Sequence, residues 1–153
     1  MSDWVAAPVF GAPPAAGPAT PRLSAYAVVS DGRRQVAVVR TPSGLYLPGG
    51  GVEPGETAAD AAVREAREEC GLTIAVGPWV ACAVKFVHAP TEAAHFEKRS
   101  TFVEARVNGP PAVPTEADHA LCWVSPAEAA ARLTPASHQW AVAQWHARGG
   151  TSA

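Results

Sequence analysis

Three glutamates that share one face of a predicted helix are the residues of this sequence best suited to chemistry. Glu65, Glu68 and Glu69 are spaced by three and four residues, and residues at these spacings are neighbours on a helix surface. Small and apolar side chains fall on the opposite side of the helical wheel: Ala59, Val63, Ala66 and Cys70. Clustered carboxylates repel one another, and either water or a hard dication such as Mg²⁺ relieves the repulsion. The helix alone therefore leaves two alternatives, a solvated acidic face and a metal site.

The segment before the helix favours the metal site. Gly49, Gly50 and Gly51 are consecutive, and glycine lets the backbone approach a ligand closely. With Pro48 they are predicted to break any regular element. The helix itself is predicted over residues 58–70, where Thr57 and Asp60 form a capping-box pattern and Gly71 ends the helix. A glycine loop, a turn and an acidic helix in succession are uncommon by chance.

The remaining elements must position this helix. Apolar runs predict strands over residues 23–30, 35–40, 79–88, 99–107 and 120–124, with a short extended piece at 45–47. Ser125 and Pro126 open a second predicted helix that ends near Leu133, and a last helix is predicted over 138–148. This order lacks a repeated βαβ unit, so we expect an α/β fold with a mixed sheet between helices.

The first 21 residues are rich in proline and alanine, and they are predicted to form an arm without a regular element. Its apolar residues are expected to dock loosely on the domain: Trp4, Val5, Val9 and Phe10. Residues 22–150 are predicted to form a single domain.

Composition excludes several classes of protein. The chain has 153 residues, 48% of them hydrophobic, and a net charge of −2, which argues against binding to a nucleic-acid duplex or an anionic membrane. Its three cysteines show neither zinc nor disulfide spacing. No apolar run approaches the roughly 20 residues that span a bilayer, and no signal-peptide pattern opens the chain. We expect a cytoplasmic protein.

The stretch from Gly50 to Leu72, GGVEPGETAADAAVREAREECGL, resembles the Nudix box. The residues that match the motif are Gly50, Glu56, Arg64, Glu65, Glu68, Glu69, Gly71 and Leu72. Ala66 departs from it by being smaller than the usual aliphatic residue. Weaker similarity extends to residues 23–40, 45–50 and 122–124. This resemblance implies a Nudix α/β/α sandwich over nearly the whole domain.

The resemblance also implies an activity, the hydrolysis of a nucleoside diphosphate linked to another group. It assigns Mg²⁺, with Mn²⁺ as a possible substitute, to the carboxylates of Glu65, Glu68 and Glu69 and the carbonyl of Gly50. Arg64 and Glu56 match positions that hold the loop and helix in place, as a bidentate arginine–carboxylate pair does. The general base stays open between Glu69 and four carboxylates outside the box: Glu92, Glu97, Glu116 and Asp118.

Cations and aromatic side chains on the predicted strands and loops are the candidates for binding a nucleotide substrate. They are Arg40, Tyr46, Lys85, His88, Phe96 and Lys98. The histidines show no metal spacing and are assigned no site. Nucleoside triphosphates (ordinary or oxidised), ADP-ribose, dinucleoside polyphosphates and nucleotide sugars all remain open as substrates, and so does a homodimer. The competing hypotheses are a non-catalytic nucleotide sensor, which would be free to lose these glutamates, and a plain interaction domain.

Overall fold

The computed structural model describes residues 4, 6–15, 17–89 and 94–150, and within them the chain forms an eight-stranded mixed sheet with helices on both faces. The strands are β1 (Val9–Phe10), β2 (Thr20–Ser30), β3 (Val36–Thr41), β4 (Gly44–Tyr46), β5 (Gly49–Gly51), β6 (Ile74–Ala89), β7 (Ala94–Val107) and β8 (Ala120–Val124). The helices are α1 (Ala58–Cys70), α2 (Pro126–Arg132) and α3 (Ala136–Ala147). None of these helices is long and apolar enough to cross a membrane.

The strand order is β1-β6-β7-β2-β3-β4, with β5 paired to β2 and β8 paired to β3. The long hairpin β6–β7 is antiparallel, whereas β2 runs parallel to β7 along its whole length. Parallel neighbours need a crossover connection, and here that connection contains α1. The sheet is therefore mixed, as the sequence predicts.

Each face of the sheet has its own apolar core. On one face, α1 packs its alanines against the small side chains Ala25 and Ala27 of β2. On the other face, α2 and α3 cover Phe102 and Val28, and Trp145 of α3 is buried there with its indole N–H donated to Glu104 Oε1 at 2.9 Å. The predicted α/β/α sandwich is confirmed.

Helix α1 has the predicted bounds because its end signals are all used. The Thr57 hydroxyl accepts a hydrogen bond from the backbone N–H of Asp60, and the Asp60 carboxylate accepts one from the backbone N–H of Thr57. Gly71 adopts the left-handed conformation with φ of 69°. The strand β8 and the helix α2 also lie where they are predicted. Helix α3 begins two residues earlier than predicted because Pro135 occupies its N-cap position.

The glycine segment differs from the prediction. Gly49–Gly51 does not break the sheet but forms β5, which pairs antiparallel with β2 from Ser24 to Tyr26. A Cβ added to Gly49 would lie 2.2 Å from the carbonyl oxygen of Ala25, and the φ of Gly49 is 153°. The absence of side chains lets the two backbones pair at this close approach, an effect that a rule treating glycine as a breaker does not anticipate.

The amino-terminal arm also contains a regular element. Val9 and Phe10 form β1, which pairs parallel with Val84 and Lys85 of β6. Pro8 does not prevent this pairing, because its carbonyl accepts a hydrogen bond from the N–H of Val84 at 2.9 Å. Phe10 contacts Trp140 with ring centroids 6.0 Å apart. Val5 lies outside the described residues.

Candidate functional site

The acidic side of α1 is turned toward the protein, which corrects the helical-wheel prediction. The buried residues of the helix are Ala61, Ala62 and Ala66, and Val63 is exposed. Two of these alanines lie one turn before Glu65, on its side of the helix. Small side chains let that side approach the sheet closely, so the carboxylates are brought over the glycine strand β5.

Two of the glutamates lie directly against β5. Glu69 accepts a hydrogen bond through Oε1 from the N–H of Gly49 at 2.8 Å. A Cβ built on Gly50 would lie 2.7 Å from Oε1 of Glu65, so only glycine leaves room for that carboxylate. The side chains of Glu65 and Glu69 are 18% and 12% exposed. These values exclude a fully solvated acidic face.

Burial changes the protonation of both carboxyl groups. Burial raises the pKa of Glu69 to about 7. The charge of Glu65 also raises this pKa, whereas the hydrogen bond from Gly49 lowers it. Burial also raises the pKa of Glu65, although the neighbouring Arg64 opposes the increase. Like charges held together in a low-dielectric site produce such shifts. A cation bound between the two carboxylates would lower both pKa values.

Arg64 joins the helix to the loop before it. Its Nε and Nη2 donate to the two carboxylate oxygens of Glu56 at 2.8 and 2.9 Å, and Nη2 also donates to the carbonyl of Gly51 at 2.9 Å. Its Nη1 contacts Glu65 at 3.0 Å and Glu68 at 3.2 Å. The hydrogen bonds from Arg64 lower the pKa of Glu56 to about 2. The pair thus ties the helix to the loop before it, and its role in activity stays a prediction.

The loop before β8 completes the acidic site. The carbonyl of Glu68 accepts hydrogen bonds from the N–H groups of Thr115 and Glu116 at 2.9 and 3.2 Å, which ties this loop to the end of α1. The charge of Glu116 contributes to the raised pKa values of Glu65 and Glu69. Of the carboxylates proposed outside the box, Glu116 therefore lies near the cluster.

His119 is a residue of this site that the sequence analysis missed. Its Nε2 lies 3.6 Å from Oε2 of Glu69, and its Nδ1 lies 2.9 Å from Asp118 Oδ1. One ligand atom from each of Glu116, Asp118 and His119 fits within 4.8 Å of the others. The spacing between histidines does not predict a site at His119. The available clue was that His119 lies three residues after Glu116, which the sequence analysis proposes as a candidate base.

Of the other two candidate bases, the structure describes only Glu97, which lies apart from the cluster. Glu97 pairs with Arg99 at 2.6 Å, and its neighbour Lys98 faces the other side of the strand. Glu92 lies outside the described residues. The structure thus brings Glu69, Glu116 and Asp118 together and leaves Glu97 out.

The structure places the six predicted substrate-binding residues in different parts of the fold. Tyr46 lines a cavity of about 390 Å³ that also contains Glu69 and His119. Phe96 and Lys98 line a larger cavity of about 740 Å³, on the other side of the glycine strand. Lys85 lies opposite Lys98 in the sheet.

Arg40 and His88 lie apart from these cavities. Arg40 lines a separate cavity of about 340 Å³ with Arg132. His88 is exposed, and its ring lies 4.4 Å from that of His95 near the end of the β6–β7 hairpin. Neither residue lines the cavity that contains Glu69 or the one that contains Lys98.

The fold and the site together define a class of protein. The chain is an α/β/α sandwich in which a glycine strand lies against a helix with clustered carboxylates. The family model for the NUDIX domain matches residues 20–145. The chain therefore belongs to the Nudix family, and its enzyme class is that of a Nudix pyrophosphohydrolase.

Solved structures share the fold. A MutT protein from Methanosarcina mazei Go1 is 18% identical, with a TM-score of 0.68 over 89% of this chain and 100% of the other. The E. coli ORF135 protein is 26% identical, with a TM-score of 0.63 over 86% and 97%. The Ap4A hydrolase of C. elegans is 20% identical, with a TM-score of 0.62 over 83% and 97%. No curated protein matches the chain.

Proposed function

We propose that the protein hydrolyses the diphosphate linkage of a nucleoside diphosphate joined to another group, by attack of water on phosphorus, with Mg²⁺ or Mn²⁺ as the cofactor. One observation carries the proposal. Two largely buried carboxylates, Glu65 and Glu69, converge on the backbone of Gly49 and Gly50. Burying carboxylates beside one another is unfavourable unless a cation compensates them.

The donor set fits a hard dication. Mg²⁺ prefers oxygen ligands and retains several waters, and this side of α1 offers the carboxylates of Glu65, Glu68 and Glu69. Arg64 already bridges Glu65 and Glu68, which indicates that a positive charge is stable there. We assign these three carboxylates and the carbonyl of Gly50 as the residues that would hold the ion. When bound, such an ion neutralises phosphate charge and acidifies water.

The residues of the chain then act by position and charge. Arg64 and Glu56 hold the loop of β5 against α1, so that the ligand atoms keep their geometry. Glu69 lies against Gly49 within the carboxylate cluster, and it is our first choice as general base. Glu116 is the alternative, because its charge reaches both Glu65 and Glu69.

The substrate is placed by the two cavities that flank the glycine strand. The smaller one contains Tyr46, whose hydroxyl lies 2.9 Å from Ser43 Oγ, beside Glu69. The larger one contains Phe96 and Lys98. We propose that the diphosphate lies at the strand between them. Tyr46, Phe96, Lys85 and Lys98 are retained as substrate-binding residues, whereas Arg40 and His88 are not, because they line neither cavity.

The test is a nucleotide panel measured with Mg²⁺ or Mn²⁺ by release of phosphate or pyrophosphate. Glu69→Gln is expected to lower kcat by about a hundredfold or more, whereas Glu128→Gln should change it less than twofold. Glu128 is a suitable control because it forms only an exposed pair with Arg132 on α2. Mn²⁺ binding, followed by EPR, should weaken in Glu65→Gln and Glu68→Gln.

The same panel distinguishes a second candidate function. A non-catalytic nucleotide sensor would bind a nucleotide tightly with no turnover in the presence of either metal. The motif glutamates are all present and brought together, which favours the enzyme. Turnover that persists unchanged in Glu69→Gln would contradict the proposed site.

A further inference from the structure

Three cations lie side by side across three neighbouring strands. Arg22 of β2 is in register with Lys98 of β7, and Lys98 is in register with Lys85 of β6. Residues directly opposite on paired strands project from the same face of the sheet, and like charges in such positions are destabilising. We call these three residues, Arg22, Lys98 and Lys85, the cationic row. The repulsion between their charges destabilises the folded state, so folding alone does not favour this arrangement.

Lys98 is the central and most enclosed member of the row. Its Nζ donates a hydrogen bond to the hydroxyl of Tyr26 at 2.5 Å. Among the described residues no carboxylate lies within ion-pair distance of Lys98 or Lys85. Burial lowers the pKa of Lys98. Burial also lowers the pKa of His138, and the charges of Lys98 and Lys85 lower it further. The two lysines thus lie side by side on one face of the sheet.

Among the residues that the structure describes, nearby carboxylates do not pair with Lys98 or Lys85. Glu53 and Glu56 line the same cavity as Lys98, but both pair with Arg64, at 3.8 and 2.8 Å. An enclosed ammonium group without a carboxylate is energetically costly. A ligand anion would supply the missing partner.

The cavity beside the row is large enough for such a ligand. Its volume is about 740 Å³, within the range of roughly 300–1,000 Å³ that is typical of small-molecule sites. The guanidinium carbon of Arg22 lies 3.5 Å from the ring centroid of Phe96 and forms a flat cationic wall. The cavity also includes Gly51, the residue after Gly50, so it opens beside the proposed metal site.

We propose that this cavity binds a second anionic group, a phosphate or a carboxylate, carried by the part of the substrate beyond the scissile diphosphate, and that Lys98 selects substrates that bear it. The inference rests on the proposed function, because it uses the diphosphate position assigned at β5. It narrows the substrate class to nucleoside diphosphate derivatives whose attached group is itself anionic. Lys85 and Arg22 strengthen the local positive potential.

The experiment uses pairs of compounds that differ only in one remote anion. NADP⁺ with NAD⁺, and coenzyme A with its dephospho form, test a phosphate. UDP-glucuronate with UDP-glucose tests a carboxylate. Affinities are measured by calorimetry on the Glu69→Gln protein with Mg²⁺, so that binding is read without turnover. The anionic member of at least one pair should bind tenfold or more tightly, the gain expected of one charge-assisted contact.

Lys98→Met in the same background should remove that preference, because it should lower the affinity for the anionic member at least threefold more than the affinity for the neutral member. Arg33→Gln, which removes an exposed cation in the β2–β3 turn, should preserve the preference. Lys85→Met gives a second measurement that does not depend on how the Lys98 variant folds, and it should reduce the preference at least threefold. Equal affinities within every pair, an equal loss for both members in Lys98→Met, or an unchanged preference in Lys85→Met would overturn the inference.

The two proposals fail in different ways. Hydrolysis without any preference for an anionic member refutes the role of Lys98 and leaves the proposed activity intact. A preference in binding without hydrolysis by the wild-type protein supports the anion site and refutes the proposed activity.

Discussion

Replacing Gly50 with alanine tests the most specific geometric feature of the site. The new Cβ would lie 2.7 Å from Oε1 and 2.8 Å from Cδ of Glu65. Ordinary contact begins at 3.4 Å, so the carboxylate would have to move by about 0.7 Å. A misplacement of about 1 Å in a catalytic arrangement costs roughly a hundredfold in rate. We therefore expect Gly50→Ala to lower kcat/KM by ten- to a hundredfold.

The matched control is the next residue in the same strand. A Cβ on Gly51 meets nothing within 4 Å, so Gly51→Ala changes the same backbone without moving Glu65. Steady-state kinetics on the best substrate of the panel should show the loss in Gly50→Ala only, and both variants should keep the far-UV circular dichroism of the parent. Equal activity of the two variants would refute the argument that β5 and Glu65 form one tightly fitted unit.

Three other predictions concern stability and positioning. His138 is buried, its Nδ1 accepts the N–H of Leu47 at 3.2 Å, and burial lowers its pKa from 6.5 to about 3. Only the unfolded chain binds this proton between those values, so acidification from pH 7 to 5 should lower the His138 contribution to the free energy of unfolding by about 2 kcal/mol, measured by urea unfolding as the difference from His138→Asn. The raised pKa of Glu69 acts in the opposite direction over the same range and is present in both proteins. Phe102→Ala should lower the free energy of unfolding by about 3–5 kcal/mol, because the ring is fully buried. Arg64→Lys keeps the charge but loses the paired contacts with Glu56, and it should lower kcat/KM roughly tenfold.

Each of these has its own control. Between pH 7 and 5 the free energy of unfolding of the parent should fall by about 2 kcal/mol relative to that of His138→Asn, which retains an acceptor but does not titrate, and the same pH dependence in the two proteins would contradict the assignment. Val113→Ala, at an exposed site, should leave the unfolding midpoint unchanged beside Phe102→Ala. Arg132→Lys, in an exposed pair on α2, should retain full activity where Arg64→Lys does not.

Local signals in the sequence were sufficient for the elements whose ends are defined by side chains. Thr57, Asp60 and Gly71 define α1, and Ser125 with Pro126 opens α2. The sequence was insufficient where pairing with a distant strand decides the structure. Gly49–Gly51 became a strand because β2 lies beside it, and Val9–Phe10 did so because β6 offers a free edge.

The functional site was likewise predictable where local signals decide it and unpredictable where distant residues do. The carboxylates of α1 were predictable from their spacing, but the direction they face was not, because it depends on which alanines touch the sheet. His119 and the row formed by Arg22, Lys98 and Lys85 depend on strand register and loop placement. Such long-range neighbours leave no periodic trace in a single sequence.

The short strand β1 affects how copies of this protein can associate. An open sheet edge invites pairing with another chain, and here the backbone of β6 at Val84 and Lys85 is already engaged by residues 8–10. A second molecule that extended the sheet at this place would first have to displace that segment. Removal of residues 1–10 would therefore expose the edge of β6, and the shortened protein should self-associate more readily than the 153-residue chain, a difference that sedimentation velocity would show.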